Sequence, residues 1–285
     1  MRRCSSTKSL ELGVEKVQSQ RWVNPVALTA VEMSQSDHNS PQRRRVLRDL
    51  AVVTGAGSGI GRAIVLELAG CGVPCCLVGR TLSKLQEVAR LTDELGVESF
   101  PIAADLSDLG AVVSLAQQIR SFGRRVAILV HSAAIMRLSR VEHSTVEEFT
   151  AMLEVNVLAP FALTKHLLPQ ICAARGQIVF INSSIVNHPA AGTAEYAATK
   201  HALKGLADGL RQEVNASGVR VMSVYPGRTA TPIQPSLCEI EGRAYLPETL
   251  LQPEDVAATV ICALTLPPNA EVTDILMRPA SKPKQ

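Results

Sequence analysis

This 285-residue sequence lacks the features that mark membrane-spanning and metal-binding chains. It contains no apolar run of about 18 residues, the length that a transmembrane helix needs. Its seven cysteines form no CxxC pair and accompany no histidine cluster, so we expect reduced thiols, a cytoplasmic location and no metal site. No internal repeat is visible, and 46% hydrophobic residues suffice for the core of one large domain.

An excess of charge of one sign is also missing. The 29 lysines and arginines nearly balance 26 aspartates and glutamates, which gives a net charge of +3. Residues 1–49 contain nine basic and five acidic residues, so the rest of the chain is close to neutral. We therefore expect no nucleic-acid-binding face, and a small molecule is the expected partner.

The first 45 residues have no sustained hydrophobic periodicity and contain seven serines. This composition predicts a disordered extension over residues 1–45, followed by one folded domain over residues 46–285. A targeting segment is the alternative, although the glutamates in this stretch are unusual for an acid-poor presequence. Met33 is a further candidate start, because only a short polar stretch would then precede the first strand.

From residue 46 onward, apolar runs alternate with amphipathic segments. Strands are predicted at 50–53, 73–78, 100–103, 126–130, 177–181, 219–224 and 272–277. The helices between them include one capped by Ser107 and one that begins at Thr145 with a capping box to Glu148, while residues 229–251 are expected to be irregular. This alternation predicts an α/β fold: a single doubly wound Rossmann-type domain with a seven-stranded parallel sheet flanked by helices.

The most informative segment is the glycine-rich turn that follows the first predicted strand. It reads T-G-x-x-x-G-x-G over residues 54–61, and an amphipathic helix leaves it. A strand, a glycine turn and a helix N-terminus together cradle a dinucleotide pyrophosphate, because glycines let the backbone come close and free N–H groups face the phosphates. An ordinary tight turn is the alternative. The candidate cofactor-binding residues of this turn are Gly55, Ser58, Gly59, Ile60 and Gly61.

A tyrosine and a lysine stand four residues apart, as Tyr196 and Lys200, in a helix predicted over residues 196–216. This spacing places both side chains on one helix face. The pKa of a free tyrosine lies near 10, and a neighbouring cation lowers it. Tyr196 can then give a proton to an oxygen while a hydride arrives at the adjacent carbon. A surface helix pair is the alternative for this spacing alone.

Two further polar positions belong to the same pattern. Ser183 and Ser184 directly follow the fifth predicted strand, where ligands bind in open α/β sheets, and two turn serines are the alternative. Asn156 lies inside the helix after the fourth strand, although asparagine is a mediocre helix former. A buried asparagine needs partners, such as a water relayed to Lys200 or the local backbone.

In this order, the motifs resemble those of the short-chain dehydrogenase/reductase family over residues 50–277. The resemblance implies that Ser184 binds the substrate oxygen and that Tyr196 is the acid–base group. It further implies that Lys200 lowers the tyrosine pKa and binds the nicotinamide ribose, and that Asn156 supports a proton relay through water. The cofactor contacts that it implies outside the glycine turn are Asp105, at the adenine ring, and Ala133, Pro226, Gly227, Thr229 and Thr231.

The sequence departs from the family pattern at two places. The usual N-N-A-G after the fourth strand is His131-Ser132-Ala133-Ala134 here, which places a methyl group near the cofactor backbone, and we expect His131 to be structural. Ser184 precedes Tyr196 by 12 residues, whereas 13 is common in the family. Ser183 would restore that count, but Ser184 matches the second serine of the strand-end pair and is our assignment.

Cofactor preference is predicted from the end of the second strand. NAD enzymes of this architecture usually place a carboxylate about 20 residues beyond the glycine turn to bind the ribose 2′-hydroxyl. The chain has Gly79 and then Arg80 there, with Lys84 one helical turn on. A guanidinium pairs well with a 2′-phosphate, so Arg80 predicts NADP as the cofactor. A solvated loop arginine is the alternative.

These features together predict an NADP-dependent oxidoreductase that acts on a carbonyl/alcohol pair. A catalytically silent Rossmann protein that binds a dinucleotide as a sensor or scaffold is the alternative from another class. An acyl-carrier-protein ketoreductase is the alternative among enzymes, and Arg137, Arg140 and Arg228 are the candidate docking patch for it.

A homodimer or homotetramer is expected from the resemblance. The helix that carries Tyr196 offers Ala202, Leu206 and Leu210, four residues apart, as a stripe for a symmetric partner. Packing of this stripe on the protein's own sheet is the alternative.

Overall fold

The computed structural model describes residues 49–280, so the predicted extension over residues 1–45 lies outside the described residues. The strands of the described part are β1 (Leu50–Thr54), β2 (Cys75–Gly79), β3 (Ser99–Ala103), β4 (Val126–His131), β5 (Gln177–Ile181), β6 (Arg220–Pro226) and β7 (Asp274–Met277). Its helices are α1 (Gly59–Gly70), α2 (Leu82–Glu94), α3 (Leu109–Ser121), α4 (Val146–Leu153), α5 (Ala159–Ala174), α6 (Ala194–Val214), α7 (Gln234–Ile240) and α8 (Pro253–Leu264).

The seven strands form one parallel sheet in the order β3-β2-β1-β4-β5-β6-β7. The predicted doubly wound α/β fold with a seven-stranded parallel sheet is therefore confirmed. The chain builds the sheet outward from β1 in one direction and then, from β4 onward, in the other. The carboxyl ends of β1 and β4 flank this reversal, and Thr54 of β1 pairs there with His131 of β4.

Two apolar layers cover the two faces of the sheet. Along β1, Leu50 and Val52 belong to one layer, while Ala51 and Val53 belong to the other. Helices α3, α5 and α6 pack on the first face, and α1, α2 and α8 pack on the second. Strands that are buried on both faces need continuous apolar runs, which is why the five inner strands were visible in the sequence.

Two local expectations change with the structure, and a third is confirmed. The cap of α3 is Asp108, whose side chain accepts the Gly110 N–H at 2.8 Å, because Ser107 instead donates to Asp105. Residues 229–251, expected to be irregular, contain helix α7. The predicted cap at Thr145 is present, since its hydroxyl accepts the Glu148 N–H at 3.2 Å.

The segment of residues 229–251 leaves and rejoins the domain at one point. Thr229 and Leu251 form an isolated parallel bridge. Leu251 N–H donates to the Arg228 carbonyl at 3.0 Å, and Ala230 N–H donates to the Leu251 carbonyl at 2.7 Å. These bonds close the base of the segment, and we call them its neck.

Helices α4 and α5 form one long helical run over residues 146–174 through a π-helical turn at Glu154–Leu158. Among the described residues, this run alone has the length and the mean hydropathy (1.2) of a membrane-spanning helix. In the fold, Leu163, Leu167 and Ile171 of this run are buried in the first apolar layer. These apolar residues of the run therefore form part of the hydrophobic core of the domain.

The row of residues on α6 that was suggested as a contact for a symmetric partner is only partly exposed. Ala202 is exposed, whereas Leu206 packs against the first apolar layer and Leu210, which is 8% exposed, belongs to it. The packing of Leu206 and Leu210 corresponds to the alternative interpretation of the stripe, and oligomerisation remains a prediction.

Candidate active site

The candidate residues gather at the carboxyl edge of the sheet. The glycine turn follows β1, the 131–134 segment follows β4, the serine pair follows β5, and the Pro226-Gly227 segment follows β6. In an open α/β sheet, ligands bind outside the strand ends where the chain order reverses. The fold therefore brings these separate motifs to one edge of the sheet, where such a ligand would bind.

The glycine turn is a cradle made of backbone. Gly55 and Gly59 have φ values of +68° and +53°, which side chains rarely adopt. A Cβ on Gly61 would overlap the Gly55 carbonyl, and a Cβ on Gly59 would lie 3.1 Å from the methyl carbon of Thr231. Ser58 and Ile60 lie where the turn enters α1, whose first N–H groups have no helical partner. The turn therefore fits a dinucleotide pyrophosphate.

The segment after β4 packs directly against this turn. A Cβ on Gly55 would lie 2.9 Å from the Cα of Ala133, and the Thr54 hydroxyl accepts the N–H groups of Ser132 and Ala133 at 3.1 and 3.2 Å. Ala134 is exposed and has no positive φ. Alanine in place of the family glycine therefore introduces no backbone strain here.

His131 is buried beneath this segment at the end of β4. Its Nε2 lies 2.8 Å from the Thr164 hydroxyl, and its ring stacks on Phe180 with centroids 4.9 Å apart. Burial lowers the pKa of His131 to about 3, so the ring is neutral at physiological pH. This environment agrees with the structural role expected for His131.

Tyr196 and Lys200 are both buried, with exposed fractions of 9% and 1%. The Lys200 Nζ donates to the Ile181 carbonyl at 3.0 Å and lies 5.7 Å from the centre of the Tyr196 ring. Burial lowers the pKa of Lys200 to about 8.

Burial also raises the pKa of Tyr196 to about 12, although the nearby Ser183 side chain acts in the opposite direction. The expected lowering of the tyrosine pKa is therefore not found. The desolvation of the phenolate dominates, and the lysine ammonium is engaged with a backbone carbonyl.

Ser183, and not Ser184, is the serine beside the phenol. The Ser183 side chain is close enough to the phenol to lower the pKa of Tyr196, whereas Ser184 begins a short 3-10 helix over Ser184–Val186. Ser183 has extended backbone angles as the last residue before that turn, and the Asn182 side chain accepts its N–H at 2.9 Å. This position favours Ser183 over Ser184, our assignment, as the serine that acts with Tyr196, and the spacing of 13 residues was the signal for it.

Asn156 lies in the π-helical turn and is 1% exposed. Its side-chain carbonyl accepts the Ile135 N–H at 2.9 Å, and its amide donates to the Ile135 carbonyl at 2.9 Å and to the Thr199 hydroxyl at 3.1 Å. These contacts join Asn156 to the loop after β4 and to α6. Lys200 is not among its direct hydrogen-bond partners in the described part of the chain.

Two buried polar residues of this site were not identified from the sequence. Thr199 is one, and Asn182 is the other, because its amide donates to the Lys200 carbonyl at 3.1 Å. Their positions, directly before Lys200 and directly before Ser183, were the available signals. Neither position carries a pattern that separates a structural from a functional side chain.

Arg80 is exposed directly after β2, near the end of β3. The pKa of Asp105 is lowered mainly by hydrogen bonds from the Ser107 N–H and hydroxyl, and the positive charge of Arg80 contributes. Lys84 is nearby as well, since a Cβ on Gly57 would lie 3.2 Å from its Cβ. This corner of the site therefore combines two basic side chains with one carboxylate.

The segment after β6 faces the glycine turn from the other side. Gly227 N–H donates to the Met277 carbonyl at 2.8 Å, which fixes Pro226-Gly227 to β7. The Thr229 hydroxyl donates to the Gly227 carbonyl at 3.0 Å, and Thr231 packs on Gly59. Thr231 is thus the residue of this segment that reaches the cradle.

The three arginines of the suggested docking patch are each paired with a glutamate. The pairs are Arg137 with Glu148 at 3.5 Å, Arg140 with Glu142 at 2.7 Å, and Arg228 with Glu241. Their charges are balanced locally, so they form no continuous basic surface. Within residues 49–280, six cysteines are free and no cluster of three or more metal-ligating side chains is found.

Comparison with known proteins extends these observations. Residues 49–241 match the family model described as short chain dehydrogenase. An uncharacterized short-chain type dehydrogenase/reductase of Sinorhizobium fredii is 32% identical over 239 residues, which cover 82% of this chain and 92% of that protein.

Two solved structures are similar in fold. The alcohol dehydrogenase of the archaeon Thermococcus sibiricus, complexed with 5-hydroxy-NADP, matches with a TM-score of 0.76 and 27% identity over 84% of this chain and 100% of that chain. A metagenomic short-chain oxidoreductase in complex with NADP matches with a TM-score of 0.72 and 30% identity over 83% and 100%. With the parallel sheet, the glycine turn and the tyrosine–lysine pair, these matches establish that the chain belongs to the short-chain dehydrogenase/reductase family of oxidoreductases.

Proposed function

We propose that this protein is an NADP-dependent reductase of a small carbonyl substrate, with Tyr196 as the proton donor. The observation that carries the proposal is the arrangement of Tyr196, which is buried beside the Ser183 side chain and has the Lys200 Nζ 5.7 Å from the centre of its ring. A phenol held between a hydroxyl and a cation is suited to transfer a proton to a substrate oxygen.

The residues at the strand ends fit a nicotinamide dinucleotide. The positive φ values of Gly55 and Gly59 lead the backbone into the N-terminus of α1, whose free N–H groups can bind a pyrophosphate. When bound, the nicotinamide supplies the hydride that reaches the carbonyl carbon. The proposed cofactor-binding residues are Gly55, Ser58, Gly59, Ile60, Gly61, Arg80, Asp105, Ala133, Tyr196, Lys200, Pro226, Gly227, Thr229 and Thr231.

The protonation states favour reduction. With a pKa of about 12, the Tyr196 phenol carries its proton at neutral pH and can donate it as negative charge develops on the substrate oxygen. Lys200, with a pKa of about 8, is still largely charged at neutral pH and stabilises the phenolate that remains. Ser183 donates its hydroxyl to the same substrate oxygen and orients it.

NADP is the proposed cofactor because of the corner formed by Arg80 and Lys84. The end of β2 carries no carboxylate that would bind a 2′-hydroxyl, and a guanidinium forms charge-assisted bonds with a phosphate. The two similar structures were solved with NADP or a derivative of it, which supports the same choice.

The test is NADPH oxidation, followed at about 340 nm, with a panel of aldehydes, ketones and keto acids. We expect wild type to reduce at least one class, and Tyr196→Phe to lower kcat by about 100- to 10,000-fold with little change in the Kd for NADPH. Tyr225→Phe is the matched control, because that phenol is buried in β6 outside the site. A Tyr196→Phe variant that keeps more than about a third of the wild-type rate would remove Tyr196 from the mechanism.

A further inference from the structure

The Thr199 side chain takes part in two hydrogen bonds of the buried polar residues near Tyr196. It belongs to α6, between Tyr196 and Lys200, and its exposed fraction is 0%. The Thr199 hydroxyl donates to the backbone carbonyl of Tyr196 at 2.8 Å and accepts the Asn156 amide at 3.1 Å. One hydroxyl group therefore connects the helix of the proton donor to the π-helical turn.

The connection continues beyond Asn156. The remaining polar groups of that side chain bond the N–H and the carbonyl of Ile135, both at 2.9 Å. Ile135 belongs to the loop that follows β4, on the same edge as the glycine turn. The bonds thus form a continuous path from the Ile135 backbone through Asn156 and Thr199 to Tyr196.

From this path we infer that Thr199 is a positioning residue, whose hydroxyl holds Asn156 and the Tyr196 backbone in register for proton transfer. The inference rests on the proposed function. Thr199 touches neither the phenol nor the Lys200 Nζ through a hydrogen bond in the described part of the chain, so it acts through its neighbours. Small displacements of reacting groups are costly in rate, which gives this hydroxyl a kinetic role.

Thr199→Val is the informative variant, because valine keeps the shape and removes both hydrogen bonds. The buried Asn156 amide then loses one hydrogen-bond partner, and we expect its hydrogen bonds to the Ile135 backbone to weaken. Thr199→Ser restores the hydroxyl and serves as the rescue variant. Thr92→Val is the matched control, since Thr92 is also fully buried in a helix and bonds the carbonyl three residues earlier, Ala89, at 2.7 Å, but lies in α2.

The first measurement needs no substrate. Hydrogen exchange at the Ile135 amide reports the bond to Asn156, and we expect it to rise about tenfold in Thr199→Val. Thr199→Ser and Thr92→Val should keep the wild-type rate of exchange at Ile135. Exchange in Thr199→Val that equals that of Thr92→Val would overturn the inference.

The second measurement is kcat for NADPH oxidation with the panel carbonyl that wild type reduces fastest. We expect Thr199→Val to lower kcat about 10- to 100-fold with an unchanged Kd for NADPH, and Thr199→Ser to recover most of the rate. A kcat within about twofold of wild type in Thr199→Val would overturn the positioning role. If wild type reduces no carbonyl, the proposed function fails, and the Ile135 exchange still decides whether Thr199 holds Asn156.

Discussion

The Lys200→Met variant distinguishes two effects of the buried ammonium group, one on the rate of carbonyl reduction and one on the free energy of unfolding. The Lys200 side chain is 1% exposed, and its Nζ donates to the Ile181 carbonyl. Methionine matches the length of the aliphatic part and removes the charge. We expect the variant to lose carbonyl reduction, because no ammonium remains to stabilise the Tyr196 phenolate.

The magnitude of the stability effect follows from the lysine pKa. Folding lowers it from 10.5 to about 8, a change that corresponds to about 3 kcal/mol at 1.36 kcal/mol per unit. The folded protein releases this proton at a lower pH than the unfolded chain does. The free energy of unfolding of wild type therefore rises between about pH 8 and pH 10.5, and the full penalty of the buried charge is present below pH 8.

Loss of the bond to the Ile181 carbonyl costs about 1–3 kcal/mol at every pH. Near pH 7, Lys200→Met should therefore be as stable as wild type or up to about 2 kcal/mol more stable. Near pH 10, Lys200 is largely neutral in folded wild type, so most of the cost of burying its charge is gone. Wild type should then be the more stable protein. The sign of the difference between the two proteins thus depends on pH.

The assay is urea unfolding of both proteins near pH 7 and near pH 10, with a thiol reductant present. Other groups titrate equally in both proteins and cancel in the comparison. Lys204→Met is the control, because that side chain lies one turn further along α6 and is 40% exposed. Equal pH dependence of wild type and Lys200→Met would refute the reasoning.

Three further predictions concern the cofactor, the extension and the assembly. Arg80→Ala should lower kcat/KM for NADPH by about 10- to 150-fold and leave kcat/KM for NADH nearly unchanged. Arg90→Ala is the control, because Arg90 is an exposed arginine on α2. An equal loss of kcat/KM with both cofactors would contradict a contact between Arg80 and the 2′-phosphate. Removal of residues 1–40 should leave activity and Tm unchanged, and loss of most activity in the truncated protein would show that the segment contributes to the fold. Light scattering at micromolar concentration should give a homodimer or a homotetramer, and a monomer would end that expectation.

The centre of the sheet was predictable from the sequence because its five inner strands, β2, β1, β4, β5 and β6, are buried on both faces. Such strands are short apolar runs, and those of β1 and β5 differ from the prediction by at most one residue. The glycine turn was equally visible, since positive φ values at Gly55 and Gly59 need glycine in that pattern. In both cases, the physical requirement, burial of a strand or a positive φ value, restricts which residues the segment itself can contain.

The parts that were missed depend on contacts between segments. The choice between Ser183 and Ser184 is decided by which residue precedes a 3-10 turn and faces Tyr196. The raised tyrosine pKa follows from burial in the assembled fold, which a spacing of four residues does not express. Thr199 acquires its partner from a helix 43 residues earlier in the chain, so no local pattern identified it.

The neck of the 229–251 segment has a consequence for how this scaffold can change. Because the Thr229–Leu251 bridge already brings the two ends together, the sheet does not depend on what lies between them. A longer insertion adds only closure entropy, about 0.6 kcal/mol for each doubling of length. Two contacts constrain the segment itself, because Thr231 packs on Gly59 and Glu241 pairs with Arg228 at the neck. Apart from these contacts and the buried residues Leu237 and Cys238, residues 233–250 can be exchanged between relatives without disturbing the sheet.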